Sequence, residues 1–155
     1  MLFRSTVCVG DAGASALAAA LDRGALPRLK ELSLFNAAIG DAGLVALAPA
    51  LRRRPALETL SLSENPFGDE GLAALVAPPP ADAPPPLPQA EVLAKLKWLD
   101  LRYTQITDAG CAHLASRLRS GALPALKRVY LVGTPASAAA TLAVDLAAFC
   151  GNRVV

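Results

Sequence analysis

The chain has 155 residues, a formal net charge of +2 and a hydrophobic fraction of 54%. That length suits a single domain, and so small a charge neither calls for nor excludes an acidic partner. Alanine inflates the apolar fraction: no uncharged run of about 18 apolar residues is present to cross a membrane, and the start, MLFRST, lacks the long apolar region of a secretory signal.

Met1 to Val9 reads as the end of a strand. Shifted by 30 residues, Leu2 falls on Leu32 and Arg4 falls where Leu34 stands. A solenoid's first repeat usually carries a polar cap. None is visible, so the start reads as a fragment of a longer array or as a poorly capped one. Asp11 to Arg23 is the first predicted helix, with Asp11 as N-cap, Leu17 and Leu21 on one face, and Gly24 as its stop. Ala25-Leu26-Pro27 then returns the chain to a strand, and Ala122-Leu123-Pro124 repeats the device.

The strand signature L-x-x-L-x-L begins at Leu29, with Leu32 and Leu34. Gly40-Asp41-Ala42-Gly43 turns into a helix capped by Asp41, whose inward stripe is Leu44, Leu47 and Leu51. Pro49 is expected to end or kink that helix. Arg52-Arg53-Arg54 reads as a solvated turn, since three basic residues fall short of a 5–8-residue nucleic-acid cluster. Leu57-Leu60-Leu62 is the next strand, and Asp69 opens a helix with Leu72 and Leu75 inward. Pro78 to Pro88, PPPADAPPPLP, holds seven of the chain's 13 prolines. It favours polyproline II or disorder and reads as a tolerated surface insertion. Pro85-Pro86-Leu87-Pro88 fits P-x-x-P, but no basic residue flanks it closely. Leu96-Leu99-Leu101 is followed by a helix from Asp108 with Cys111, Leu114 and Leu118 inward. Leu126-Val129-Leu131 is the last strand signature. Thr134-Pro135 reads as a helix start, and Leu142, Leu146 and Phe149 make a stripe that would cover the end of the core, with Gly151 as stop.

Laid over one another, the first leucines stand 28, 39 and 30 residues apart, and the insertion explains the long interval. The turns Gly10-Asp11-Ala12-Gly13, Gly40-Asp41-Ala42-Gly43, Gly68-Asp69-Glu70-Gly71 and Thr107-Asp108-Ala109-Gly110 keep phase with the leucines. These residues resemble the leucine-rich repeat family in its ribonuclease-inhibitor-like subtype, from about Leu2 to about Leu146. The resemblance implies an α/β fold: a right-handed solenoid, or horseshoe, with parallel strands on the concave face and helices on the convex face. It also implies protein–protein binding. The chain is read as one domain over 1–155: a partial repeat 1–28, repeats 29–56, 57–95 and 96–125, and a terminal repeat or cap 126–155. The asparagine expected after the third leucine occurs only as Asn65. Ala37, Thr104 and Thr134 hold its places elsewhere, so some turn amides need other partners.

No active site is evident. The lone histidine, His113, aligns with Ala16, Ala46 and Ala74 on a helix flank and has no nucleophile to serve. Cys111 aligns with Leu44 and Leu72 as a core residue, and Cys111 with His113 does not make a zinc set. The glycine turns lack G-x-x-x-x-G-K-[ST]. No cofactor, metal, small-molecule substrate, nucleic acid or membrane is implied. Cys8, Cys111 and Cys150 are odd in number and unevenly spaced, which fits a reduced intracellular, cytoplasmic protein.

Strand parity supplies the candidate surface. If Leu32 and Leu34 point inward, the outward columns are Glu31-Thr59-Trp98-Arg128, Ser33-Ser61-Asp100-Tyr130 and Phe35-Ser63-Arg102-Val132, with Glu64 and Tyr103 at the edge. Trp, Tyr and Arg dominate interface hot spots. The candidate partner-binding residues are therefore Trp98, Asp100, Arg102, Tyr103, Arg128 and Tyr130, joined by Glu31 and Phe35. The expected function is a non-enzymatic scaffold for another protein. The alternative is a regulatory or adaptor subunit of an enzyme system, of the GTPase-activating or ubiquitin-ligase type.

Overall fold

The computed structural model describes residues 2–4, 9–77 and 93–151. The proline-rich stretch Pro78 to Pro88 and Cys8 lie outside them. Five three-residue strands alternate with five helices: β1 Leu2–Arg4, α1 Gly10–Asp22, β2 Glu31–Ser33, α2 Asp41–Arg52, β3 Thr59–Ser61, α3 Asp69–Val76, β4 Trp98–Asp100, α4 Asp108–Arg119, β5 Arg128–Tyr130 and α5 Ala138–Gly151. All strand pairs are parallel, and the sheet order β1-β2-β3-β4-β5 follows the sequence. Parallel neighbours need a crossover, and each helix supplies one. Strands stack about 4.8 Å apart and helices about 8–10 Å apart. Such a stack has to curve with its strands inside.

The leucines of each signature form the core between the sheet and the helices. Leu29, Leu34, Leu57, Leu60, Leu62, Leu96, Leu99 and Leu101 are all fully buried. The helices answer with Leu44, Leu47, Leu51, Leu72, Leu75, Cys111 and Leu114, which are equally inaccessible. Pro49 does not end its helix, which runs on to Arg52 with Ala50 and Leu51 buried. Burial of those two side chains holds the last turn despite the missing amide donor.

The turn aspartates do not cap their own helices. Asp41 and Asp108 are first residues of α2 and α4, and Asp11 is the second residue of α1. Each carboxylate instead reaches the start of the following helix. Asp11 Oδ1 accepts from Gly40 N at 2.8 Å and Gly43 N at 3.1 Å. Asp41 Oδ1 accepts from Gly68 N at 2.9 Å and Gly71 N at 2.7 Å. Asp69 accepts from Thr107 N at 2.8 Å and Thr107 Oγ1 at 2.6 Å, and Asp108 from Ser137 N. An anion at a helix start satisfies orphan amides and opposes the dipole's positive end. Among α1 to α4, only α4 also has a side-chain cap, where Thr107 Oγ1 accepts from Ala109 N. The ladder explains the glycines Gly43, Gly71 and Gly110, each of which lies against the carboxylate of the preceding repeat. A Cβ on Gly71 would lie 3.0 Å from Asp41 Oδ1 and 3.1 Å from Leu44 Cδ2.

Two further expectations are corrected. Register places Leu2 opposite Glu31 and Phe3 opposite Leu32, so the first strand sits one residue from the expected alignment, with Arg4 opposite Ser33. The first repeat has one residue fewer between strand and turn than the second. At the other end, α5 begins at Ala138 rather than at Thr134-Pro135, and Ser137 Oγ accepts from Ala140 N. Its inward face is Val144, Ala147 and Ala148, whereas Leu142, Leu146 and Phe149 are 58%, 55% and 65% exposed. The Asp108–Ser137 bond fixes the phase of this helix. Small residues then face α4 and the large ones face out.

Candidate functional site: the concave strand face

The parity columns are present as expected. Glu31, Thr59, Trp98 and Arg128 are Cα partners across successive strands, as are Ser33, Ser61, Asp100 and Tyr130. Phe35, Trp98, Tyr103 and Tyr130 are exposed large side chains, at 42%, 43%, 57% and 37%. Glu31, Arg102 and Arg128 are exposed and Asp100 is half-buried. Ser63 is the exception in its column. It is buried, with its hydroxyl 3.3 Å from that of Ser61.

The polar groups at the end of β4 and just after it are locked together. Arg102 Nε donates to Asp100 Oδ1 at 2.8 Å and Nη2 to Oδ2 at 2.7 Å, a bidentate pair that the Arg102 backbone amide completes at 3.2 Å. The guanidinium lies 5.7 Å from the centre of the Tyr130 ring, within cation–π range. The hydrogen bond and charge of Asp100 raise the Arg102 pKa further, so it stays charged. Asp100 and Arg102 thus present a fixed, self-neutralised plane against an aromatic ring rather than two free charges.

Tyr103 is held by its backbone. The eighth residue of each repeat is left-handed: Asn36 at φ 48°, Glu64 at 57°, Tyr103 at 55° and Gly133 at 76°. This conformation costs a bulky residue energy, and its recurrence marks it as part of the repeat. A side chain on Gly133 would collide with the Tyr103 ring. The absence of a Cβ there lets the ring lie against the next repeat's turn. Tyr103 also borders a shallow hollow with Asn36, Glu64, Pro66 and Gln105.

Below these turns, Asn65 is 1% exposed. Its Oδ1 accepts from Ala37 N and Ile39 N, and its Nδ2 donates to the carbonyls of Leu34, Leu62 and Ser63. One asparagine therefore serves two repeats, which is how Ala37 is tolerated. Thr104 and Thr134 substitute more modestly, each donating to the carbonyl three residues back.

Sequence reasoning missed a groove of about 520 Å³ at the open edge of β5. Arg128, Tyr130, Val132, Thr141, Asp145 and Phe149 are among its walls. Parity named Arg128, Tyr130 and Val132, but the α5 side depended on a helix phase that was misread. His113 is exposed and Cys111 buried, as expected. No group of three or more metal-ligating side chains gathers among the described residues. No helix among them is long and apolar enough to cross a membrane.

A family model described as Leucine Rich repeat matches residues 26–48, 55–76 and 92–115. The ribonuclease inhibitor of Sus scrofa is 37% identical over 93 residues, covering 60% of this chain and 18% of that protein. The ribonuclease inhibitor of Mus musculus is 33% identical over 92 residues, covering 59% of this chain and 18% of its own length. The matched stretch is thus under a fifth of either relative. Each matched segment holds one L-x-x-L-x-L strand and most or all of the helix that follows it, stacked here in a parallel α/β array. Over residues 26–115 the chain is built of leucine-rich repeats, similar to those of the ribonuclease inhibitors.

Proposed function

We propose that this chain is a non-enzymatic protein-binding scaffold, an array of repeats over 1–155 whose partner lies on the concave strand face over β4 and β5. The observation that carries the reading is the exposed set of Trp98, Tyr103 and Tyr130 around the prearranged Asp100–Arg102 pair. Rigid aromatics lose little entropy on binding, and a preorganised ion pair loses none in finding its geometry. The two relatives are named as inhibitors of a ribonuclease, itself a protein, which supports a protein as the class of partner. Glu31 and Phe35, on and just after β2, would meet the far end of such a partner, and Arg128 the near end.

The test begins with affinity capture of a partner on the wild-type chain, followed by calorimetry on two variants. Trp98→Ala should weaken binding by at least about 2 kcal/mol, as a hot spot does, while Ser33→Ala should change it little. Equal, small losses for both would move the partner off this face.

A further inference from the structure

The two edges of the sheet differ in charge. At the exit edge, strands run into helix starts, and the aspartate ladder lies there with exposed Glu64 and Glu70. Arg102, the cation that follows β4 there, is paired with Asp100. The entry edge, where helices end and strands begin, is basic. Most of its cations fall into two sets. The first is structural: Arg52 and Arg117 donate to the last carbonyls of α3 and Arg54 to Leu21 O of α1, while Arg53 pairs with Asp22. Helix dipoles account for this set.

They do not account for the second. Arg28, Lys30, Lys95 and Lys127 precede strands, and none of their side chains has a hydrogen bond or ion pair among the described residues. Backbone bonds stack Lys30, Glu58, Lys97 and Lys127 on successive strands: Glu58 N donates to Lys30 O at 2.7 Å, Lys97 N to Glu58 O at 2.8 Å and Lys127 N to Lys97 O at 2.8 Å. Arg28 and Lys95 hold the place two residues earlier in their own repeats. Only Glu58 interrupts the row. Lys97 bonds it at 2.6 Å, and the fields of Lys30 and Lys95 join Lys97 in holding its carboxyl below the usual range. One carboxylate among four lysines leaves the row with unmatched positive charge.

We propose that this entry edge is a second docking surface, for an acidic, extended polypeptide segment that crosses the strands from β2 to β5. Lys30 and Lys127 stand three strand spacings apart, about 14 Å. An extended peptide covers that in about five residues. A protein segment fits better than a nucleic acid, because Glu58 and the neighbouring Glu31 would repel a uniform phosphate backbone, whereas a peptide can set a neutral residue opposite each. The surface borders the concave strand face at Glu31, Trp98 and Arg128, but its charge comes from residues outside the aromatic set.

The test is fluorescence anisotropy on the full chain with labelled heptaglutamate, a neutral glycine–serine peptide and an oligothymidylate of equal charge. Heptaglutamate should bind saturably at low salt and weaken as salt rises, and the neutral peptide should not bind. Lys30→Glu/Lys95→Glu/Lys127→Glu should weaken heptaglutamate at least about tenfold, through like-charge repulsion, and Trp98→Ala should leave it unchanged. Circular dichroism checks folding, and the corresponding triple glutamine variant decides the matter if the glutamate one does not fold. Absence of saturable binding, equal affinity for either triple variant, or equal or tighter binding of the oligothymidylate would overturn the proposal. None of these outcomes depends on whether Trp98 contributes to the partner of the concave face.

Discussion

Asn65 and Thr104 occupy the same place in successive repeats but do unequal amounts of bonding. Asn65 makes five hydrogen bonds and Thr104 one. Truncating Asn65 to alanine strands buried amides and carbonyls that water cannot reach. We expect a loss of about 3 kcal/mol for Asn65→Ala and about 1 kcal/mol for Thr104→Ala, read from urea unfolding midpoints. Equal losses would mean that the bridging bonds carry no net energy. Cys111 gives a second residue-scale prediction. Burial, with lesser help from Asp108 and Asp69, pushes its thiol from 9.0 up to about 11. The native protein should leave Cys111 unreactive toward a disulfide reagent at pH 8 until it unfolds, tested in a Cys8→Ser/Cys150→Ser background. The unfolded thiol ionises first. Stability relative to Cys111→Ala should therefore be whole below pH 9 and fall as pH rises from 9 toward 11. The burial of Cys111 was legible because it aligns with Leu44 and Leu72. The bridging by Asn65 was not, since its partners are backbone groups in another repeat and carry no residue identity.

Elements were legible wherever two signals agreed. L-x-x-L-x-L fixed β2 to β5 because one slip would turn every leucine to solvent, and the same parity set the outward columns. Leu62→Ala should cost about 2–5 kcal/mol in a denaturant titration, for it is fully enclosed just after β3. Failure came where one signal stood alone. The stripe Leu142, Leu146, Phe149 has helical spacing, but spacing does not say which side is inside. The aspartate ladder does, and it selects Val144 and Ala148, which align with Leu114 and Leu118. The arginines gave a similar lesson. A run of three in sequence looked like a solvated turn, yet Arg52 and Arg117 flank the end of α3 from both sides and bond Ala77 O and Val76 O at 3.0 Å each. α3 has only eight residues, so its terminal carbonyls form a large part of it. Arg52→Ala and Arg117→Ala should each lower stability by about 1 kcal/mol. An exposed charge such as Arg119, changed to alanine, should show no comparable loss.

For the whole molecule, the same frame holds α3 and α4 in phase although 39 residues separate the strands before them. The spacing of β3 and β4 therefore does not depend on the length of the connection. Removing Pro78 to Pro88 should restore a near-regular period and change the unfolding free energy little, because closure entropy grows only logarithmically with loop length. A loss of several kcal/mol would show that the stretch packs against the array.

The aspartate ladder runs one way along the chain: each carboxylate serves the helix that follows and never the one before. The array is therefore asymmetric toward trimming. Cutting away the last repeat frees one carboxylate, Asp108, which water solvates readily. Cutting away the first removes Asp11, and the amides of Gly40 and Gly43 at the start of α2 lose their acceptor. A protease or an evolutionary deletion working inward from the carboxyl end should meet a series of intact shorter proteins. One working from the amino end should unravel a helix start at every step.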